Sequence, residues 1–318
     1  MEKAYILISL GAPENISADA CRSFLREFLG DKHVLSLPFP LRQLLSAHIA
    51  KKRASQYAQN LETICGGSIG NHPSISAARS LAIQIQSITG VKTFSAFRYG
   101  AQNIPDAFRA AKKAGASSVK ALPLYPQDAY STTSSAFAEA ASAAEEFGLG
   151  LEFNRSYFDN PEYISLIADS FRSQKAFRPD AAIVSFHSVP ISHLKKTQYL
   201  QQCRATFESL KSEIGEGMRM ELAWQSKMGK GDWLGGKGDW LGPSAEECAK
   251  DLAAAGAKKV LVLCPGFSCD CTETLVEINI QLKTLFKELG GEDLQAVACL
   301  NDSPAHALML ARILERMP

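Results

Sequence analysis

Two short motifs in the second half of the chain carry side chains that could transfer protons or bind a metal ion. "FHSVP" places His187 where an apolar run ends before a proline, and "SCDCTETLVEI" contains Asp270, Glu273 and Glu277. A neutral imidazole accepts a proton near pH 7, and carboxylates bind divalent cations. Residues four apart share one face of a helix, so Glu273 and Glu277 should project together. The motifs predict a site that moves protons or a divalent cation.

Each motif also has a structural interpretation. A single histidine at a strand end is often held there by hydrogen bonds alone. Carboxylates in the first turn of a helix interact favourably with the helix dipole, which accounts for Asp270 and Glu273 but less well for Glu277. The functional interpretation gains weight because a histidine and a line of carboxylates occur in the same chain.

The order of elements predicts how these motifs are positioned. Apolar β-branched runs alternate with amphipathic segments, as in parallel sheets covered by helices. We predict strands at residues 4–11, 93–100, 118–126, 152–157, 181–188, 220–226, 259–267 and 294–301. We predict helices at 74–88, 103–115, 134–148 and 272–290, and a capping box at Ser244 and Glu247 that begins another helix. The chain should be an α/β protein built from two similar units of four strands each.

Ligands of open α/β sheets bind beyond the carboxyl ends of the strands. Those ends are rich in polar and aromatic residues here, which predicts a large pocket. No glycine-rich phosphate loop follows a strand, and the glycines of residues 65–71 read as a turn. We therefore expect no nucleotide cofactor.

Composition narrows the class of protein. Among 318 residues, 34 basic side chains balance 33 acidic ones, so no net field favours binding to nucleic acid. The apolar run at residues 4–10 is too short to span a membrane and has no convincing cleavage site. Eight cysteines without a secretory signal should be buried thiols. Cys264, Cys269 and Cys271 lack a fourth partner at a zinc-type spacing, so we expect no metal–thiolate site.

Several motifs, taken in chain order, closely resemble the ferrochelatase family, enzymes that insert ferrous iron into a porphyrin. They are RYG (98–100), LPLYPQDAYSTTS (122–134), FHSVP (186–190), QSKMGKGDWLG (from 225) and PGFSCDCTETLVEI (265–278). The likeness runs from LISLGAPE near the start to CLNDSP near the end. It implies an α/β chelatase fold of two Rossmann-like domains, 1–158 and 159–318, with a porphyrin clamped in the cleft between them. A C-terminal helix at 303–317 is expected to pack back on the first domain.

The resemblance also implies residue roles. His187 matches the histidine that accepts a pyrrole proton or binds the metal, and Glu273 matches the glutamate facing it across the porphyrin. Asp270 and Glu277 match acidic positions that continue a polar path. The expected porphyrin-binding positions are Leu10, Ser68, Arg98, Tyr99, Tyr125, Gln127, Ser131, Gln225, Ser226, Trp233 and Trp240.

The expected substrates are protoporphyrin IX and ferrous iron, with two protons released. Coproporphyrin enzymes usually carry tyrosine where this chain has Leu10, which favours protoporphyrin. We expect no permanently bound cofactor. A [2Fe-2S] cluster is not expected, because Tyr130 stands at one cluster position and no cysteine-bearing extension follows Pro318. The alternatives are a coproporphyrin ferrochelatase, a chelatase that inserts cobalt or nickel, and a non-catalytic tetrapyrrole carrier.

Residues 37–58 carry leucines at helical spacing, followed by Lys51, Lys52 and Arg53. Such a stripe is typical of core packing with a solvated basic end. In ferrochelatases this segment forms a lip over the porphyrin, so its basic residues could meet propionates or anionic lipid head groups. We expect a cytoplasmic monomer that makes a peripheral contact with the inner face of the membrane.

Three features depart from the family pattern. GKGDWLG occurs twice in tandem, at 229–235 and 236–242, which indicates an in-frame duplication within one surface loop. We expect Trp233 to take the family position and Trp240 to be the exposed copy. Asp128 places a carboxylate where the family usually has tyrosine, which should alter affinity for metal or porphyrin. The turn at 65–71 lacks the family's Ser-Pro pair, and this leaves the role of Ser68 open.

Overall fold

The computed structural model describes residues 2–215, 217–227 and 240–318, and Trp233 lies outside them. Contacts divide the chain into two units. Unit 1 comprises the chain through Ser156 together with Asn301–Pro318, and unit 2 comprises Tyr157–Leu300. Unit 1 is therefore built from two separate stretches of sequence.

Unit 1 contains a four-stranded parallel sheet. Its strands are β1 (Lys3–Ser9), β2 (Thr93–Phe97), β3 (Ser118–Pro123) and β4 (Gly150–Phe153), in the spatial order β2-β1-β3-β4. Ala4 through Ile8 of the central strand β1 are buried, as expected of a parallel strand covered on both faces. β3 ends at Pro123, three residues before the predicted end, and the Leu124 amide makes one more bond to β1, to the Ile8 carbonyl at 2.7 Å.

Five helices accompany this sheet in the first part of the chain. They are α1 (Ala18–Gly30), α2 (Leu41–Cys65), α3 (Pro73–Thr89), α4 (Ile104–Lys113) and α5 (Ser135–Phe147). The predicted cap of α4 is confirmed, because the Asn103 side chain accepts from the Asp106 amide at 3.0 Å. A wide π-helical turn, Tyr130–Ser134, leads into α5.

Unit 2 repeats the same strand order. Its strands are β5 (Ala181–His187), β6 (Arg219–Gln225), β7 (Lys259–Leu263) and β8 (Asp293–Ala296), arranged β6-β5-β7-β8. Its helices are α6 (Pro161–Ser173), α7 (Tyr199–Ile214), α8 (Ala245–Ala254) and α9 (Lys283–Glu288). The predicted capping box is confirmed, since Ser244 and Glu247 exchange side-chain-to-backbone bonds of 2.6 and 3.2 Å. The prediction of two four-stranded parallel α/β units is therefore confirmed.

The helix predicted at 272–290 has a different form from the one expected. Residues Glu273–Leu282 are a π-helix, and α9 continues from it. Each π-helical bond spans five residues instead of four, so the helix is wider than an α-helix. Side chains four or five apart still lie along one side, and this keeps Glu273 and Glu277 neighbours.

The last helix, α10 (Pro304–Arg316), belongs to unit 1. It packs against α3, where the Gln84 side chain donates to the Asp302 carbonyl at 2.8 Å. At its far end the buried Lys120 of β3 donates to the Met317 carbonyl at 2.6 Å, which caps the helix with a positive charge. No helix among the described residues is long and apolar enough to cross a membrane.

Candidate active site

His187 is the last residue of β5 and is half-buried. Its Nδ1 lies 2.6 Å from the Ser188 carbonyl oxygen, which can only accept, so Nδ1 carries the proton. This leaves Nε2 of the neutral ring with a lone pair that can take up a proton. The Tyr199 hydroxyl donates to the His187 carbonyl at 2.9 Å and fixes the backbone at the strand end.

Gln225 connects the histidine strand to the acidic motif. It ends β6 and is paired in register with His187. Its buried amide donates to the Glu273 carbonyl at 3.0 Å, and its oxygen accepts from the Cys264 thiol at 3.4 Å. The backbone that carries Glu273 is thereby held to the strand beside the imidazole.

The three predicted carboxylates are placed differently. Asp270 is buried and accepts from the Thr274 hydroxyl at 2.9 Å, which ties it to the start of the π-helix. Glu273 and Glu277 are half-buried on that helix. The Ser226 hydroxyl donates to Glu277, and Ser226 has a left-handed φ of 62°, a strained conformation for a residue with a side chain. Strand end and π-helix are thus joined at two points, Gln225 and Ser226.

Three cysteine thiols of this region are protonated. Burial raises the pKa of the Cys264, Cys271 and Cys299 thiols, and the nearby carboxylates raise it further. Metal ions bind thiolate and not thiol sulfur. Within residues 2–215, 217–227 and 240–318, no group of three or more His, Cys, Asp or Glu side chains is arranged to hold a metal ion.

The tandem repeat is described only at its end. Trp240 is half-buried and pairs with Pro190 in the segment that follows His187, and Leu241 accepts a bond of 3.0 Å from the Ser188 hydroxyl. The expectation that Trp240 is the solvent-exposed copy is therefore wrong, because its backbone is tied to the histidine segment. The matching expectation for Trp233 falls outside the described residues.

Arg98 and Tyr99, in unit 1, belong to a polar cluster around Asp31. Arg98 Nη2 and the Tyr99 hydroxyl each donate to Asp31 at 2.9 Å. Arg98 Nε donates to the Ser135 hydroxyl at 2.7 Å, and that hydroxyl also donates to Asp31. His33 bonds the other carboxylate oxygen through its ring and its amide, at 2.9 and 2.8 Å. The cluster joins the end of β2 to the α1–α2 loop and the start of α5.

Asp31, His33 and Ser135 were missed by the sequence reasoning. Burial alone would raise the pKa of Asp31, but the bonds from Ser135 and His33 and the charge of Arg98 outweigh it and lower the pKa to about 2. The carboxylate is therefore ionised at neutral pH. The one signal for this cluster in the sequence was the short polar stretch "GDKH", which begins at the last residue of α1.

Other predicted porphyrin positions in unit 1 are spread over several strand ends. Leu10 follows β1 and is half-buried, and its carbonyl accepts from the Tyr99 amide at 3.0 Å. The next residue, Gly11, has φ +100°, and a Cβ there would lie 2.0 Å from the Tyr99 carbonyl oxygen. Only glycine allows the two strand ends to approach this closely. Ser68 is exposed at the start of a short turn.

Tyr125, Gln127 and Ser131 follow β3. The Tyr125 hydroxyl is buried and has no hydrogen-bond partner in the described part of the chain, and burial raises its pKa. Gln127 is buried, and Ser131 is half-buried in the π-helical turn. Asp128 forms a two-pronged ion pair with Arg155, at 2.9 and 3.1 Å. The expected effect of Asp128 on affinity for metal or porphyrin stays a prediction, and this carboxylate would exert it while paired with Arg155.

Solved structures with a similar fold are those of chelatases. SirB from Bacillus subtilis with Fe3+ matches with a TM-score of 0.58 and 11% identity, covering 99% of this chain and 95% of that one. The sirohydrochlorin chelatase SirB from Bacillus subtilis subspecies spizizenii in complex with cobalt gives a TM-score of 0.57 at 10% identity, covering 99% and 94%. At these identities the likeness shows the fold alone: the chain has the α/β fold of chelatases.

Sequence comparison narrows that class to one family. The ferrochelatase family model matches residues 2–317. A ferrochelatase of Pseudomonas putida (strain W619) is 32% identical over 343 aligned positions, covering 99% of both chains. One of Pseudomonas fluorescens (strain Pf0-1) is 32% identical over 346, covering 100% of this chain and 98% of the relative. The chain belongs to the ferrochelatase family.

Proposed function

We propose that this chain inserts ferrous iron into protoporphyrin IX and releases two protons to give protohaem. Membership of the ferrochelatase family carries the proposal. The arrangement in unit 2 supports it, since a proton-accepting imidazole and a tethered glutamate are held by two adjacent strands and the π-helix. By the resemblance to ferrochelatases, Leu10 favours protoporphyrin over coproporphyrin as the substrate.

His187 takes one pyrrole proton at Nε2. Its Nδ1–H remains bonded to the Ser188 carbonyl in both the neutral and the protonated ring, at 2.6 Å. The ring therefore keeps its orientation while the proton is transferred, and no reorganisation opposes the step. The resulting imidazolium is stabilised by the carbonyl it already contacts.

Glu273 supplies negative charge to the incoming dication. Two pyrrole protons leave as one Fe²⁺ enters, so the charge of the macrocycle is balanced once the metal is bound. Before that point, a carboxylate near the iron lowers the cost of bringing the dication to a neutral porphyrin. The second pyrrole proton leaves along the acidic positions: Asp270 precedes the π-helix and Glu277 lies on it, and their carboxylates offer sites for that proton or for iron in transit.

The side chains of unit 1 contribute to porphyrin binding. Arg98, Tyr99, Tyr125, Gln127 and Ser131 supply aromatic surface and hydrogen-bond donors. The buried Tyr125 hydroxyl has no hydrogen-bond partner among the described residues. This is expected of a hydroxyl whose hydrogen-bond partner is a bound ligand.

The decisive experiment is anaerobic iron insertion followed by the absorption change of the porphyrin, with protoporphyrin and coproporphyrin in parallel. His187→Ala and Glu273→Gln should each lower kcat at least about a hundredfold while the protein still binds porphyrin. Glu288→Gln, an exposed carboxylate on α9, is the matched control and should keep full activity. Full turnover by His187→Ala would overturn its assigned role.

The same assay separates the alternatives. Faster insertion of cobalt or nickel than of iron would indicate a different chelatase. Porphyrin binding without any spectral change on addition of ferrous iron would indicate a carrier.

We also propose a peripheral membrane contact through residues 37–58. Phe39, Leu41 and Leu44 are 71%, 55% and 69% exposed, and basic residues follow on the same helix. An exposed apolar cluster beside positive charge suits the interface of an anionic bilayer. Phe39→Ser with Leu44→Ser should abolish co-sedimentation with phosphatidylglycerol vesicles, whereas Ile83→Ser, on α3, should not. Sedimentation that persists in the double variant would contradict the contact.

A further inference from the structure

We infer that Asp31 is a positioning residue for porphyrin binding, which acts by fixing the guanidinium of Arg98. The inference rests on the proposed function, because it takes Arg98 as a porphyrin-binding side chain. Asp31 itself need not touch the porphyrin.

The geometry makes Asp31 the centre of the cluster. One of its oxygens accepts from Arg98, Tyr99 and Ser135, and the other accepts twice from His33. The carboxylate is 6% exposed and is thus held from both sides. It is therefore a fixed acceptor, and Arg98 must adapt to its position.

Arg98 keeps donors for a ligand while being held in this way. Its Nε is bonded to Ser135 and its Nη2 to Asp31, whereas its Nη1 has no hydrogen bond to any of the described residues. The side chain is 18% exposed and lines an open cavity of about 500 Å³. A long arginine side chain loses rotamer entropy when a ligand fixes it, so fixing it in advance favours ligand binding.

Two other carboxylates lie near Arg98 and would compete for its guanidinium without Asp31. Glu139 lies 3.6 Å from Nη2, and Glu27 lines the same cavity. With the central carboxylate removed, the guanidinium is free to turn to either of these partly exposed carboxylates. The arginine would then remain charged and folded in place but would present different N–H groups to a ligand.

A double-mutant cycle tests the inference. Asp31→Asn keeps the shape of the side chain but removes its charge and turns N–H groups toward donors. Porphyrin Kd, measured by fluorescence quenching, should rise about tenfold in Asp31→Asn, the loss of one charge-assisted bond. In an Arg98→Ala background the same change should have no further effect. KM for porphyrin should rise while kcat at saturation stays near wild-type.

Controls separate positioning from a general loss of structure. Asp180→Asn removes a carboxylate in unit 2 that accepts from two backbone amides at 2.8 Å, and porphyrin Kd should not change. If Asp31→Asn does not fold, His33→Phe replaces it, since phenylalanine keeps the ring contact with Tyr130 but loses the donor. We expect a smaller rise in Kd, of about threefold.

Additive effects of Asp31→Asn and Arg98→Ala would overturn the inference, as would an unchanged Kd in either single variant. Iron insertion by the unmodified protein, measured in the same preparations, decides the proposed function separately.

Discussion

Replacing Gln225 with leucine is expected to slow iron insertion without weakening porphyrin binding. The sequence placed Gln225 among the porphyrin-binding positions, but its side chain is buried and both of its polar groups are engaged within the protein. The Gln225 side chain is 2% exposed, donates to the Glu273 carbonyl at 3.0 Å and accepts from the Cys264 thiol at 3.4 Å. Leucine is of similar size but removes both polar atoms. The substitution therefore releases the backbone of Glu273 while leaving the packing nearly unchanged.

The size of the effect follows from those two bonds. A buried carbonyl that loses its donor costs about 1–3 kcal/mol of unfolding free energy, and a thiol is a weak donor that adds little. A loss of about 1.4 kcal/mol of transition-state stabilisation lowers kcat about tenfold. We expect losses of this order in both quantities, with KM for porphyrin unchanged.

Anaerobic iron insertion and chemical denaturation on the same preparations measure both effects. Gln202→Leu is the matched control, since Gln202 is a buried glutamine on α7 that is 8% exposed. It should lose stability and keep kcat. A wild-type kcat in Gln225→Leu, or an equal fall of kcat in both variants, would refute the link between Gln225 and Glu273.

Three further outcomes concern stability. Gly11→Ala should cost more than Gly90→Ala, because both glycines have positive φ but only at Gly11 would the Cβ collide with a carbonyl; denaturation of the two variants should differ by more than about 1 kcal/mol. Burial lowers the pKa of His306 in the folded protein to about 4, whereas the unfolded chain has the ordinary value of about 6.5. The unfolded chain therefore binds a proton at higher pH than the folded protein does. The free energy of unfolding should fall by about 3 kcal/mol as the pH drops from about 6.5 to 4. His306→Gln should flatten that part of the pH profile. Ser244→Ala should cost about 1 kcal/mol, because it removes one half of a capping box, and an unchanged unfolding midpoint would contradict this.

The sequence predicted the strands and the positions of His187 and the carboxylates along the chain. It did not predict the local backbone geometry at those residues. The central strands are visible as apolar runs because a parallel sheet buries both of their faces, and His187 stands out because such a run ends at it. The edge strands β4 and β8 are only partly buried, and β4 (Gly150–Phe153) overlaps the segment predicted at 152–157 by two residues. The π-helix could not be predicted, since carboxylates four apart share a face in an α-helix as well.

The Asp31 cluster lay beyond sequence reasoning for a different reason. Asp31 is 67 residues from Arg98, and Arg98 is 37 residues from Ser135. Local patterns carry no information on which polar side chains meet across such distances. The same is true of Asp128, whose partner Arg155 follows the next strand of the sheet.

The assignment of α10 to unit 1 affects how the protein is made. Unit 2 is one continuous stretch, Tyr157–Leu300, whereas unit 1 needs residues from both sides of it. During synthesis, the second unit is complete before the first can bury α3 against α10 or cap that helix with Lys120. The N-terminal half therefore cannot complete its contacts before unit 2 has been synthesised, although N-terminal domains generally fold first. Until Asn301–Pro318 emerge from the ribosome, the face of α3 that packs against α10 lacks that partner.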